Sequence, residues 1–341
     1  MSGQGDVGAD ADAIVIGAGS VGLFLSLLLA RRGLSVLLLE KRRERSPHSR
    51  AIGISSPSLG ILDSLGLADA LISRGVPVRA ARISDGRREL GRLDFAELGG
   101  PFPFVLALPQ AVTEAWLEGL VLAEPGVRLL KGCEVVSLRD NGALAEASGR
   151  TDGGGAFRFA SGLVIACDGA RSALRDGAGF GLHGHAYRDS FLMGDYADLT
   201  DWGDEARLFF TPRGSVESFP LPGGQRRWVL STPHPMQACE GDWLAVEVGR
   251  RTGSALDPAT RKWESAFGVE RRMARRWASG RVFLAGDAAH LMSPIVGQNM
   301  NTGFADAEHL AAALPGLLHG GRSPTAEELS QLGASYTRAR S

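Results

Sequence analysis

The stretch from Ala13 to Glu40 constrains this chain more than any other. An apolar strand runs into Gly17-Ala18-Gly19-Ser20-Val21-Gly22, a helix follows, and a second apolar strand ends in an acid. Glycines at that spacing serve three needs: a tight turn, a backbone that a pyrophosphate can approach, and a helix packed closely on its strand. The free N–H groups and the positive end of the helix dipole then face the phosphates. Glu40, about 20 residues on, accepts ribose hydroxyls. This context predicts a βαβ unit that holds the ADP half of a dinucleotide. A membrane or signal segment is the competing reading, because Ala13 to Ala30 carries no charge and nearly reaches the length that spans a bilayer. Against it, Asp6, Asp10 and Asp12 precede the run, and three glycines interrupt it before Arg31 and Arg32. A signal peptide starts basic instead.

At 341 residues the chain has room for about two domains. Its 37 basic and 38 acidic residues leave a net charge of −1, which points to neither a nucleic-acid nor an anionic-membrane partner. Cys133, Cys167 and Cys239 are odd in number and widely spaced. With no CxxC or Cys/His cluster, they read as buried thiols of a cytoplasmic protein and not as a disulfide or metal framework. Residues 1–11 read as a polar lead-in.

After Glu40 a basic loop with Lys41, Arg42, Arg43, Arg45 and Arg50 leads into a helix bearing Leu59, Leu62, Leu65 and Leu67. Arg50 is singled out because the loop leaves the carboxyl end of a nucleotide-binding strand; the other arginines are left to solvent. Residues 76–108 alternate in short apolar runs, the pattern of strands in a second sheet. Gln110 opens a helix whose inward stripe is expected to be Val112, Trp116 and Leu120. Strands follow at Val127–Leu130, Cys133–Leu138 (through Val136) and Leu163–Ala166, with a hairpin turn at Asp152-Gly153-Gly154-Gly155. From His183 to Thr232 the pattern is again β, and Trp243 to Trp277 reads as helical and Arg-rich. A short strand, Arg281–Leu284, runs into Ala285-Gly286-Asp287, and Pro294 to Asn301 leads into a helix with Phe304, Ala307, Leu310 and Leu314 on one face. The tail from 316 is polar, with one short helical pattern between Thr325 and Tyr336.

Three strand-to-loop junctions, at Gly17, Asp168 and Gly286, each follow an apolar run. That pattern fits three crossings of one parallel sheet feeding one cofactor crevice. With NAD in the crevice the Asp168 and Asp287 junctions have no obvious task, whereas a longer cofactor with a sugar-alcohol linker uses them. Flavin is the better occupant.

GAGSVG with Glu40, CDGARSALR and GDAAHLMSPIVGQNMN, in this order, resemble the class A FAD-dependent monooxygenases, the aromatic hydroxylases of the para-hydroxybenzoate hydroxylase type. The resemblance spans roughly 12–315 and implies an α/β fold: a Rossmann-type FAD-binding domain with an inserted, mostly antiparallel β-sheet substrate domain. The FAD-binding domain is then discontinuous, at 12–75, 106–176 and 278–315. The substrate domain takes 76–105 and 177–277, and 316–341 is a C-terminal segment. Carried onto this chain, the resemblance implies that Gly17, Gly19, Ser20, Val21 and Gly22 cradle the pyrophosphate, with Glu40, Lys41 and Arg42 at the adenosine ribose and Val136 beside them. It places Arg50 and Gln110 at the flavin side and the linker. Asp168, Gly169 and Ser172, with Arg175, support the crevice, and Gly286 and Asp287 hold the ribitol. Pro294, Gly297, Gln298, Asn299, Met300 and Asn301 open a helix beside the flavin, where its N-terminus stabilises charge that develops on reduction. No catalytic side chain is assigned; Arg50, Pro294, Gly297 and Asn299 are the flavin-proximal candidates. His290 reads as structural, and His183, His185 and Tyr187 as possible neighbours of the substrate.

The implied chemistry is reduction of FAD by NADH or NADPH, formation of a flavin hydroperoxide with molecular oxygen, and hydroxylation of an aromatic or polyketide-like substrate. Phe191, Met193, Phe209, Phe210, Phe219, Leu221 and Trp228 form one apolar wall of its pocket, suited to an aromatic or polycyclic ligand. The family phrase usually carries a small residue and a glycine where Val296 and Asn299 stand. The departure at Asn299 supports the alternative reading, a flavin dehydrogenase or reductase without oxygen insertion. A flavin-holding binding protein and a membrane-associated quinone hydroxylase are more distant readings, and a homodimer is an open one.

Overall fold

The computed structural model describes residues 9–46, 51–232, 241–292, 298–318 and 322–340. The strand Ala11–Ile16 lies at the centre of an eight-stranded sheet whose path runs Ala278–Ser279, Val282–Leu284, Ala156–Ala166, Ala11–Ile16, Val36–Glu40, Val127–Lys131. From Val282–Leu284 to Val127–Lys131 every neighbouring pair is parallel, as βαβ crossovers require. Ala13 to Ile16 and Val36 to Leu39 are buried without a break, because helices cover both faces of a parallel sheet. Cys133–Asp140 and Ala145–Thr151 extend the sheet as an antiparallel ribbon on Ala156–Ala166.

The helix Ser20–Ala30 buries every residue except Val21. It has no polar face because it packs against both Gln110–Ala123 and Gln298–Ala313, and Phe24 meets Phe304 edge-on with ring centroids 5.1 Å apart.

A second eight-stranded sheet runs His290–Leu291, Trp263–Ala274, Leu182–Ala197, Gln225–Thr232, Gly214–Leu221, Ala206–Thr211, Ala80–Ser84, Glu89–Asp94. The helix Trp243–Thr252 covers one of its faces, with Leu244 and Val248 over Leu192, Val216, Trp228 and Leu230. A small sheet of Gly53–Ile54, Val105–Ala107 and Val76–Val78 lies on the other face, where Val78 and Ala107 meet Leu208 and Phe219. No helix of the described residues is long and apolar enough to cross a membrane.

Several expectations are corrected. The Trp243–Trp277 stretch is helical only over Trp243–Thr252; Trp263–Ala274 is a strand paired antiparallel with Leu182–Ala197. The apolar residues Trp263, Phe267, Val269 and Met273 keep a period of two, and cross-strand pairing overrides the charged residues between them. In the helix Gln110–Ala123 the buried positions are Thr113, Leu117, Glu118 and Val121, one residue on from the expected stripe, and Val112 is 40% exposed. Trp116 and Leu120 flank the core from the side. Phe209 and Trp228 do not share a wall with Phe191 and Met193: they pack under the covering helix, whereas Phe191 and Met193 join Phe267 on the opposite face. The tail is also not merely polar, since Ala326–Arg340 is one helix with Leu329 and Tyr336 buried.

Candidate cofactor site

The three junctions meet at one point. Gly17 has φ 100°, and a Cβ there would lie 2.4 Å from the Cys167 carbonyl oxygen, so this turn admits only glycine. A Cβ on Gly22 would lie 1.9 Å from the Gly17 carbonyl oxygen, so the third glycine lets the helix start directly against the strand end. Val21 in turn packs within 3.0 Å of the position a Cβ of Gly286 would take.

Gly19 caps the helix Ser20–Ala30 without a side-chain hydrogen bond, and Leu23 N–H makes a first turn's bond back to the Gly19 carbonyl at 3.0 Å. The N–H groups before it are the ones a pyrophosphate meets. Ala18 N–H donates to Glu40 Oε2 at 2.8 Å, and Arg42 N–H to Glu40 Oε1 at 2.9 Å. The acid that ends the second strand is therefore held, 8% exposed, beside the glycine turn. Of the arginines expected in solvent, Arg42 and Arg43 are exposed, though paired with Glu40 and Asp152, whereas Arg45 is partly buried against Glu118 at 2.8 Å. Lys41 is exposed. Val136 is 59% exposed on its strand.

Gln110 Nε2 donates to Glu114 Oε1 at 2.8 Å, and the same oxygen accepts from Ser20 Oγ and N–H at 3.1 and 3.2 Å. Glu114 escaped the sequence reading. Its signal was the i, i+4 step from Gln110, which puts both side chains on one face of the helix, and an anion at a helix N-terminus is stabilised there.

Asp168 is partly buried, and its Oδ1 is enclosed without a hydrogen-bond partner. Burial pushes its carboxyl up, against the pull of Ser172 and Arg175. Ser172 Oγ accepts Arg175 N–H at 2.9 Å, which starts the short helix after Asp168 and Gly169. Burial also raises the Asp287 carboxyl, with His290 lowering it and Asp306 raising it. An orphaned carboxylate oxygen, a second desolvated acid and a helix start whose N-cap glycine offers no side-chain acceptor, all at the ends of neighbouring parallel strands, are groups that a dinucleotide with a hydroxylated linker satisfies. The residues present fit FAD.

Asn301 joins the helix Gln298–Ala313 to this crevice: Ser55 N–H donates to Asn301 Oδ1 at 2.9 Å, and Asn301 Nδ2 donates to the Gly53 carbonyl at 3.0 Å. Asn299 Oδ1 accepts Met292 N–H at 3.0 Å. Gln298 is exposed and Met300 buried. Arg50, Pro294 and Gly297, like Val296 and Cys239, lie outside the described residues. His290 is buried and bonded to Asp306. His183, His185 and Tyr187 are exposed. Cys133 is buried and Cys167 partly so, both free; burial pushes the Cys167 thiol far above its usual range, which makes it inert.

A sequence profile of the family described as FAD binding domain matches residues 10–329. The chain is 30% identical over 337 residues to the uncharacterized aromatic compound monooxygenase YhjG of Bacillus subtilis, covering 93% of this chain and 66% of that protein. It is 34% identical over 316 residues to 6-methylpretetramide 4-monooxygenase of Streptomyces rimosus, covering 90% and 56%. The chain thus spans roughly three fifths of the length of these relatives. Among solved structures, CabE, an aromatic hydroxylase from angucycline biosynthesis, superposes with a TM-score of 0.77 at 31% identity, covering 97% of this chain and 66% of that one. The p-nitrophenol 4-monooxygenase PnpA from Pseudomonas putida DLL-E4 shares the fold, with a TM-score of 0.84 at 24% identity over 96% of this chain and 84% of that one.

Proposed function

Because the chain belongs to the FAD binding domain family, we propose that it is an NAD(P)H-consuming monooxygenase that hydroxylates an aromatic or polyketide-like small molecule. The observation that carries this reading is the meeting of the Gly17, Asp168 and Gly286 junctions at one crevice, in a chain whose relatives include an aromatic compound monooxygenase and a 6-methylpretetramide 4-monooxygenase.

When bound, FAD supplies electron transfer from the nicotinamide and activation of molecular oxygen. The rest falls to the protein. The Gly17 turn and the start of the helix Ser20–Ala30 bind the pyrophosphate, Glu40 the ribose, and Asp168 and Asp287 the hydroxyls of the linker. Asn301 and Asn299 brace the start of the helix Gln298–Ala313, whose N-terminal N–H groups favour negative charge nearby. The face of the second sheet bearing Phe191, Met193 and Phe267 excludes water from an aromatic ligand. Asn299 accepts the Met292 N–H, and the relatives' names support oxygen insertion over the reductase alternative.

The test is NAD(P)H oxidation by the FAD-loaded protein in the presence of hydroxylated polycyclic aromatics under isotopically labelled oxygen gas. The proposal expects oxidation stimulated by a substrate and one labelled oxygen atom in its product. Stimulated oxidation with no label in any product makes the protein a reductase.

A further inference from the structure

Among the described residues, the side of the second sheet that would face the substrate holds a carboxyl, Glu217, with no hydrogen-bond or ion-pair partner. Along Gly214–Leu221, Val216 points under the covering helix, so alternation turns Glu217 and Phe219 to the opposite face. Glu217 pairs with Leu208 on one neighbouring strand and Val229 on the other. Phe219 and Leu208 belong to the apolar cluster with Val78 and Ala107, and Val229 packs on the cluster of Phe191, Met193 and Phe267. Glu217 therefore sits on the wall between two apolar clusters. One edge of this sheet is the strand His290–Leu291 that directly follows the Gly286-Asp287 junction.

Among the described residues, no side chain on the flanking elements answers its charge. Asp195 and Arg227, on the same face, close on each other at 2.7 and 2.8 Å, and Trp263 Nε1 donates to Asp195 at 2.7 Å. Arg251, from the covering helix, pairs with Glu247 and donates to the Ser231 carbonyl. On the small sheet's side, Arg79 stacks on Phe104. Burial alone acts on the Glu217 carboxyl and pushes it up to about 7. A desolvated, unpaired carboxyl on an apolar wall costs stability, and groups of that kind concentrate where a protein handles protons.

We propose that Glu217 is the proton acceptor for a phenolic hydroxyl of the substrate; the assignment rests on the monooxygenase reading above. The phenol O–H bond breaks, the proton passes to a carboxylate oxygen of Glu217, and the electron pair left behind raises density at the ring carbon that takes the new oxygen atom. When that carbon loses its hydrogen as a proton to solvent water and the ring regains aromaticity, Glu217 returns its own proton to the first oxygen. A base titrating near the working pH is suited to both transfers.

The test compares FAD-loaded wild type, Glu217→Gln and Glu217→Leu by two readouts. In an infrared titration the wild type shows the carbonyl stretch of a protonated carboxyl that disappears with a midpoint near pH 7, and both variants lack it. In oxygenation of substituted phenols, 4-nitrophenol among them, kcat/KM of the wild type rises as this group ionises. The variants lose about 100-fold or more on weakly acidic phenols and recover on acidic ones that ionise unaided. FAD affinity stays unchanged. Equal kcat/KM profiles for wild type and Glu217→Gln, or a wild type without the infrared band, overturn the assignment. A wild type that oxygenates other aromatics but no phenol overturns it as well and leaves the monooxygenase reading standing; a wild type that oxygenates no aromatic removes both.

Discussion

His290 Nε2 lies 2.7 Å from Asp306 Oδ2, with both side chains fully buried. The same oxygen accepts Gly286 N–H at 2.9 Å, while Oδ1 takes Arg340 Nε at 2.8 Å. One carboxylate thus ties the Gly286-Asp287 junction to the C-terminal helix. Asp306→Ala removes the carboxylate partner of buried His290, of the Gly286 N–H and of the partly exposed Arg340 guanidinium, and is expected to lower unfolding stability by about 1–3 kcal/mol. It is also expected to weaken FAD binding, because Gly286 loses its anchor. Denaturant titration with and without added FAD checks both.

Tyr336 closes the same region from above. It is fully buried, donates its hydroxyl to the Leu284 carbonyl at 2.9 Å, and meets Trp277 edge-on at 5.5 Å. Tyr336→Ala should cost about 3–5 kcal/mol, and Tyr336→Phe about 1 kcal/mol. Thermal unfolding of the two variants separates the ring from the hydroxyl.

Two glycines predict opposite results. Gly22→Ala puts a methyl group 1.9 Å from the Gly17 carbonyl oxygen, so the variant should lose FAD binding or fail to fold. Gly119, in the exposed face of the helix Gln110–Ala123, has nothing within 4 Å of its Cβ position. Gly119→Ala should stabilise by about 0.5–1 kcal/mol. FAD fluorescence titration and thermal unfolding read the pair.

The raised Glu217 carboxyl fixes a sign for pH dependence. The unfolded chain ionises this group near 4.5 and the folded protein near 7, so between those values the unfolded state holds fewer protons. Its contribution is absent below pH 4.5, grows as a penalty while pH rises to 7, and levels off above. Glu217→Leu should match wild type at pH 4 and exceed it by up to roughly 3 kcal/mol at pH 8. Denaturant midpoints across that range check the prediction.

The nucleotide half was legible because its signals are local. The run Ala13–Glu40 carries strand, turn, helix and acid within one stretch, and the strands ending at Ala166 and Leu284 are buried on both faces and so read as unbroken apolar runs. What was missed depends on partners distant in sequence. Trp263–Ala274 becomes a strand only because Leu182–Ala197 pairs with it; Phe209 and Phe210 alternate across one strand, but which of them is buried depends on the distant helix Trp243–Thr252. Asp306 and Arg340 look like ordinary charged helix residues until folding brings them to Gly286. The same holds for Glu114, whose role depends on Ser20, 94 residues away.

The most direct measurement is the visible absorption spectrum of the purified protein, with the released cofactor identified chromatographically and the same preparation repeated for Asp287→Ala. The account predicts a yellow protein with about one FAD per chain, and a variant that loses most of it. A colourless wild type that takes up no added FAD would contradict it, leaving Asp168 and Asp287 as partly buried acids of a fold put to another use.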